Sequence, residues 1–202
     1  DNDYIFPRSS IKIFQAVPFA VSEAIKKYKL NNKHIALACA SHKGEKFHLN
    51  ELKNWISKIN LKRRNLQCGI HGPLDKKSSE KIIFSGERFN ELHNNCAGKH
   101  LAMLSSCMAN NQEIENYLDF NHPHQKNIRE VFNIFTENKL KRKNFSIDGC
   151  SAPQYSFKIK SISQALNNLI KSYNNEFEFT TSIRLLINSI LKYPNYIGGT
   201  TS

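Results

Sequence analysis

Apolar positions recur at helical spacing through most of the chain. Between residues 9 and 29, Ala16, Ala20, Ala24, Ile25 and Tyr28 follow a helix-like repeat, with Pro18 where a first turn can restart. Leu49, Leu52, Trp55, Ile56 and Ile59 mark an amphipathic helix. Ile128, Val131, Phe132 and Phe135 mark another after Pro123. Two more are expected over 162–173 and 183–191, the second with Thr181 as its N-cap. Leu101, Met103 and Leu104 extend a helix behind the polar string His93-Asn94-Asn95-Cys96. Ile35 to Ala40 is too short for periodicity to separate a buried strand from a turn of core helix. Phe145 to Tyr155 reads as strand and turn, and residues 60–90, with Gly69, Gly72, Pro73 and Gly86, read as irregular. Helices with a few short strands place the chain in the α+β class.

The 202 residues suffice for one large domain or two small ones, and 40% hydrophobic residues for a core. No apolar run reaches the 18 residues of a membrane span, and no export signal opens the chain. The net charge of +12 raises nucleic acid as a partner. The lysines are scattered, however, and the densest runs, Lys62 to Arg64 and Lys139 to Lys143, lack interleaved aromatics. Solvated lysines are the favoured reading, without nucleic acid or membrane. Cys39, Cys68, Cys96, Cys107 and Cys150 are odd in number and lack disulfide-scaffold spacing. Free thiols in a reducing, cytoplasmic setting are expected, some of them as ligands. The termini, Asp1-Asn2-Asp3 and Gly198-Gly199-Thr200-Thr201-Ser202, lead us to expect a fragment of a larger domain.

Three motifs carry chemistry. In Ser9-x-x-Lys12, helical spacing puts the lysine on the face of the serine. A serine needs a base to act as a nucleophile, and a lysine serves if burial and nearby positive charge lower its pKa. Arg8 supplies such a charge or grips a substrate carboxylate. Alone, Ser9-x-x-Lys12 reads more readily as a helix start with a capping serine. Ser41-His42 ends a buried segment, as displayed cleft residues do, although an ordinary turn at Gly44 reads equally well. Cys96-x-x-Lys99-His100 with distant Cys150 offers thiolates for zinc, but the spacing alone fits two unrelated buried cysteines better.

Together, the motifs resemble one family. Pro7-Arg8-Ser9-Ser10-Ile11-Lys12, Ala38-Cys39-Ala40-Ser41-His42-Lys43-Gly44-Glu45, Leu92 to His100 and Ile147-Asp148-Gly149-Cys150-Ser151-Ala152-Pro153 are similar, in order and separation, to the rhizobial-type (thermolabile) L-asparaginases. The resemblance implies a fold related to serine β-lactamases, penicillin-binding proteins and glutaminases. It implies hydrolysis of L-asparagine to L-aspartate and ammonia by a homodimer. Ser9 and Lys12 match one Ser–Lys pair, and Ser41 belongs to a second pair. Cys96, Lys99 and Cys150 match zinc ligands, and Arg8, His100 and Asp148 match substrate-binding positions near the site. The chain departs from the family at Ile13 for proline, at Lys43 for a small or amide residue, and at Ser151 for glycine. Residues 1–202 then form a partial asparaginase domain, lacking N- and C-terminal portions and the lysine partner of Ser41. Its activity alone is in question.

Other classes predict other behaviour. A β-lactamase-like acyl-serine enzyme would be labelled by penicillin at Ser9. A basic nucleic-acid module would bind with steep salt dependence. An inactive, zinc-stabilised fragment would hold metal without turnover.

Overall fold

The computed structural model describes residues 3–200. Ten helices dominate the described residues. They are α1 (Lys12–Val21), α2 (Ala24–Lys27), α3 (Asn32–Ala38), α4 (Lys46–Lys58), α5 (Lys76–Phe84), α6 (Ala97–Ala109), α7 (Pro123–Thr136), α8 (Ile159–Tyr173), α9 (Thr180–Lys192) and α10 (Asn195–Gly198). Four short strands, β1 (Tyr4–Ile5), β2 (Phe145–Ile147), β3 (Pro153–Tyr155) and β4 (Phe157–Lys158), form two antiparallel ribbons. Tyr4 pairs with Lys158 in one, and Phe145 with Tyr155 in the other. The α+β class is therefore borne out. No helix among the described residues is long and apolar enough to cross a membrane.

Helix α1 is the hub and packs against α6, α7 and α9. Its Phe14 meets Phe132 and Phe135 of α7, with ring centroids 6.1 and 5.0 Å apart. Each such ring, fully buried, contributes about 1.5–3 kcal/mol by removal from water. Trp55 of α4 is fully buried and donates its indole N–H to Ser105 of α6 at 3.0 Å.

The undecided run Ile35 to Ala40 begins as helix α3 because Asn31 caps it. The Asn31 side chain accepts from the Lys33 and His34 backbone N–H groups, and His34 returns a ring nitrogen to the Asn31 N–H. The stretch 9–29 is not one helix. A short 3-10 turn over Arg8–Ile11 precedes α1, which runs through Pro18 and ends before α2. Residues 60–90 contain α5, which the pattern hid because none of its side chains is fully buried. Thr181 does not cap α9. Phe179 occupies that place at φ +58, stacked on Phe135, so the chain enters the helix earlier.

Gly98 sets the distance between α3 and α6. A Cβ there would lie 2.2 Å from the Leu37 carbonyl oxygen, so only glycine lets α6 start against the end of α3. That approach brings Cys96 and Lys99 beside Ala40 and Ser41.

Candidate active site

Three elements converge on one cleft. The turn before α1 brings Ser9 and Lys12, the segment after α3 brings Ala40 and Ser41, and the start of α6 brings Cys96 and Lys99. The β2–β3 loop adds Asp148 and Cys150. That loop closes on itself, with the Asp148 N–H donating to the Ala152 carbonyl at 2.9 Å and Ser151 held at φ +64. Such a backbone angle is what glycine supplies without strain, so the serine at this position carries a local cost.

The contacts form a line from solvent inwards. Ser9 is exposed, Ser41 half-buried and Lys12 buried. The Ser9 and Ser41 hydroxyl oxygens are 2.8 Å apart. Lys12 Nζ donates to Ser41 Oγ at 2.6 Å, to the Ala40 carbonyl at 2.6 Å and to Cys96 Sγ at 3.3 Å. Among the described residues Lys12 makes no hydrogen bond to Ser9, although their spacing predicts a direct pair. Burial, joined by the nearby charge of Lys99, lowers the Lys12 pKa against the opposing pull of Cys96. The backbone N–H groups of Ser9 and Ser41 donate to no acceptor among the described residues.

Behind this line lies a sulfur wall. The neighbouring Cys150 sulfur, with Lys99 and Lys12 nearby, brings Cys96 down to about 5 despite its burial. Cys150 is pushed up by the Cys96 sulfur beside it and by burial. Burial works against charge on Lys99, but the Cys150 and Cys96 sulfurs outweigh it and hold the ammonium above its ordinary range. Its Nζ lies 3.2 Å from Cys150 Sγ. Burial pushes Cys39, Cys68 and Cys107 up to about 12, so they remain inert thiols. No disulfide forms, and all five cysteines are free and buried.

Arg8 and Asp148 form an ion pair of 3.2 Å at the lip, the arginine largely exposed and the aspartate mostly covered. Asp148 also touches Cys150 Sγ at 3.8 Å. His100 lies deeper than a lip contact would. It is fully buried behind Cys150, with Nδ1 2.6 Å from the Tyr117 hydroxyl. That hydroxyl already accepts the Gln67 N–H, so its proton goes to Nδ1, and the network assigns the His100 proton to Nε2, beside Cys150.

A family model described as L-asparaginase II matches residues 1–202. The chain belongs to the L-asparaginase II family. No curated protein matches it. It is accordingly an asparaginase-type amidohydrolase.

Within this L-asparaginase II chain, the geometry gathers Ser9, Lys12, Ser41, Cys96, Lys99 and Cys150, with Arg8 and Asp148 at the lip. Three supporting residues were not assigned a role from sequence. Asn94 accepts the Cys96 N–H and donates to the Cys68 carbonyl at 2.7 Å, which fixes the start of α6. His71 accepts the Asn95 N–H at 3.1 Å. Tyr117 orients His100. Asn94 belongs to a motif already singled out, whereas Tyr117 and His71 carry no pattern of their own. Lys43 lays its stem where a Gly199 side chain would stand.

Among the described residues no group of three or more His, Cys, Asp or Glu is arranged for a metal ion. The set at the sulfur wall is two cysteines and a lysine. The proximity of two sulfurs and a nitrogen suits a soft-tolerant ion such as zinc once Lys99 sheds its proton.

Proposed function

We propose that this chain hydrolyses L-asparagine to L-aspartate and ammonia through an ester formed on Ser9. The observation that carries the reading is the hydroxyl line Ser9–Ser41–Lys12. A neutral Lys12 amine has two N–H donors and one lone pair. The Ala40 carbonyl and Cys96 take the donors, leaving the lone pair to Ser41. Ser41 then donates to Lys12 and accepts from Ser9.

Ser9 Oγ attacks the carboxamide carbon as its proton passes to Ser41 and the Ser41 proton passes to Lys12. The oxyanion meets the free Ser9 N–H. Collapse breaks the carbon–nitrogen bond, and the Lys12 proton returns through Ser41 to the leaving nitrogen, releasing ammonia. Water then cleaves the β-aspartyl ester by the same relay. The Arg8–Asp148 pair offers one cation and one anion, matched to the α-carboxylate and α-ammonium of the substrate.

Cys96, Lys99 and Cys150 would hold a zinc ion, with His100 and Tyr117 orienting Cys150. Bound there, zinc supplies a Lewis-acid contact that orients a substrate oxygen or a water. Metal analysis tests this part: about one zinc per chain is expected, with loss in a Cys150→Ser variant. The relation to the serine β-lactamase fold and assembly with a second copy belong to the same proposal.

Ammonia release from L-asparagine and L-glutamine by the chain and by Ser9→Ala tests the reading. Release from asparagine that vanishes in the variant supports it, and undiminished release in the variant overturns it. Covalent capture of penicillin at Ser9 without amide turnover favours the β-lactamase-like class instead.

A further inference from the structure

The densest basic run of the sequence, Lys139 to Lys143, takes no part in the amide site. In the fold it borders a cavity of about 250 Å³ between the end of α7, β4 and the first turn of α8. Lys139, Lys141 and Lys143 gather around this cavity, and among the described residues no carboxylate lines it. Like charges gathered on a small concave surface repel one another and focus a positive potential into it. A multivalent anion relieves both effects.

The lining is also built to donate. Ser161 borders the cavity while only 9% exposed. Ser161 Oγ accepts from Asn138 at 3.4 Å, and its own proton meets no acceptor among the described residues. Ser161 stands in the first turn of α8, which has neither an acidic residue nor a side-chain cap. The Ile159 N–H at that end is taken by the Asp3 carbonyl at 3.3 Å, and the dipole of the helix adds to the positive potential.

We propose that this cavity binds a small phosphate-bearing molecule, with the lysines and Ser161 holding its phosphate oxygens. The lining favours this over a nucleic-acid strand. Its aromatics are Tyr4 and Phe157, and Phe157 is buried, so no platform for successive bases exists. Arg142, in the middle of the run, is engaged elsewhere, stacked on Phe120 and Phe145 at 4.1 and 4.5 Å. The site is independent of the proposed amide chemistry and is tested without it.

Calorimetric titration of the full chain with inorganic pyrophosphate, at fixed ionic strength against chloride, tests the proposal. One saturable site per chain is expected. The double variant Lys141→Ala/Lys143→Ala, both exposed positions, weakens it by about tenfold or more. Ser161→Ala weakens it too, and Ser9→Ala leaves it unchanged. No saturable pyrophosphate binding, or binding that survives the lysine changes, overturns the proposal. So does preferential, steeply salt-dependent binding of single-stranded RNA, which would make the surface a nucleic-acid groove.

Discussion

The Ser41 hydroxyl stands between Lys12 and Ser9, 2.6 Å from the amine and 2.8 Å from the other hydroxyl. A proton leaving Ser9 for Lys12 must pass through Ser41. Ser41→Ala is therefore expected to lower kcat by about 10²–10⁴ with little change in KM. Lys12→Met is expected to do the same, and the double variant to be no worse than either alone. Steady-state kinetics check this. Additive losses would mean that the two residues act separately.

Arg8 at the lip contacts Asp148 and is otherwise open to solvent. Arg8→Ala is expected to raise KM for asparagine by about tenfold or more, with kcat nearly intact, because the grip on a carboxylate is the same before and during attack. A kcat loss with unchanged KM would place Arg8 in the chemistry itself.

Gly98→Ala forces a Cβ into the Leu37 carbonyl. Separation of α3 from α6 is expected to cost about 1–3 kcal/mol in denaturant unfolding. It also moves Cys96 and Lys99 away from Ser41, so activity falls even in the folded fraction. A variant as stable and active as the parent would remove the close approach as the determinant of site geometry.

His124 is fully buried, both ring nitrogens lack partners, and burial lowers its pKa to about 3. Its folded value lies below its unfolded value of 6.5, so the unfolded chain binds more protons between the two. Stability from this residue is full above pH 6.5 and drains away as pH falls towards 3, by up to ~5 kcal/mol. Urea midpoints of the parent should fall across this window, and those of His124→Leu should fall less steeply. Parallel profiles would exclude His124 as a source of acid sensitivity.

Several of these relationships were within reach of the sequence. Ser9-x-x-Lys12, Ser41 and the Cys96-x-x-Lys99 step were legible only together, through the order in which they match one family, because each alone reads more readily or equally well as a cap, a turn or unrelated cysteines. The partner of Lys12 was not legible. The Ala40 carbonyl and Ser41 hydroxyl that hold its amine lie far along the chain, and the packing of α3 against α1 brings them there. The depth of His100 was hidden for the same reason, since it follows from Tyr117, 17 residues away. Among the elements, the helices with a buried stripe were found. Helix α5 was missed because it buries no full stripe, and the start of α9 because Phe179 takes a left-handed angle that its side chain does not favour.

The central claim is that Ser9, rather than its neighbour Ser41, carries the covalent bond. Rapid acid quench of the full chain turning over L-asparagine, followed by peptide mass spectrometry, tests it most directly. The account predicts a β-aspartyl adduct on the peptide bearing Ser9, absent in Ser9→Ala and strongly reduced in Ser41→Ala. An adduct on Ser41, or undiminished turnover by Ser9→Ala, would contradict it.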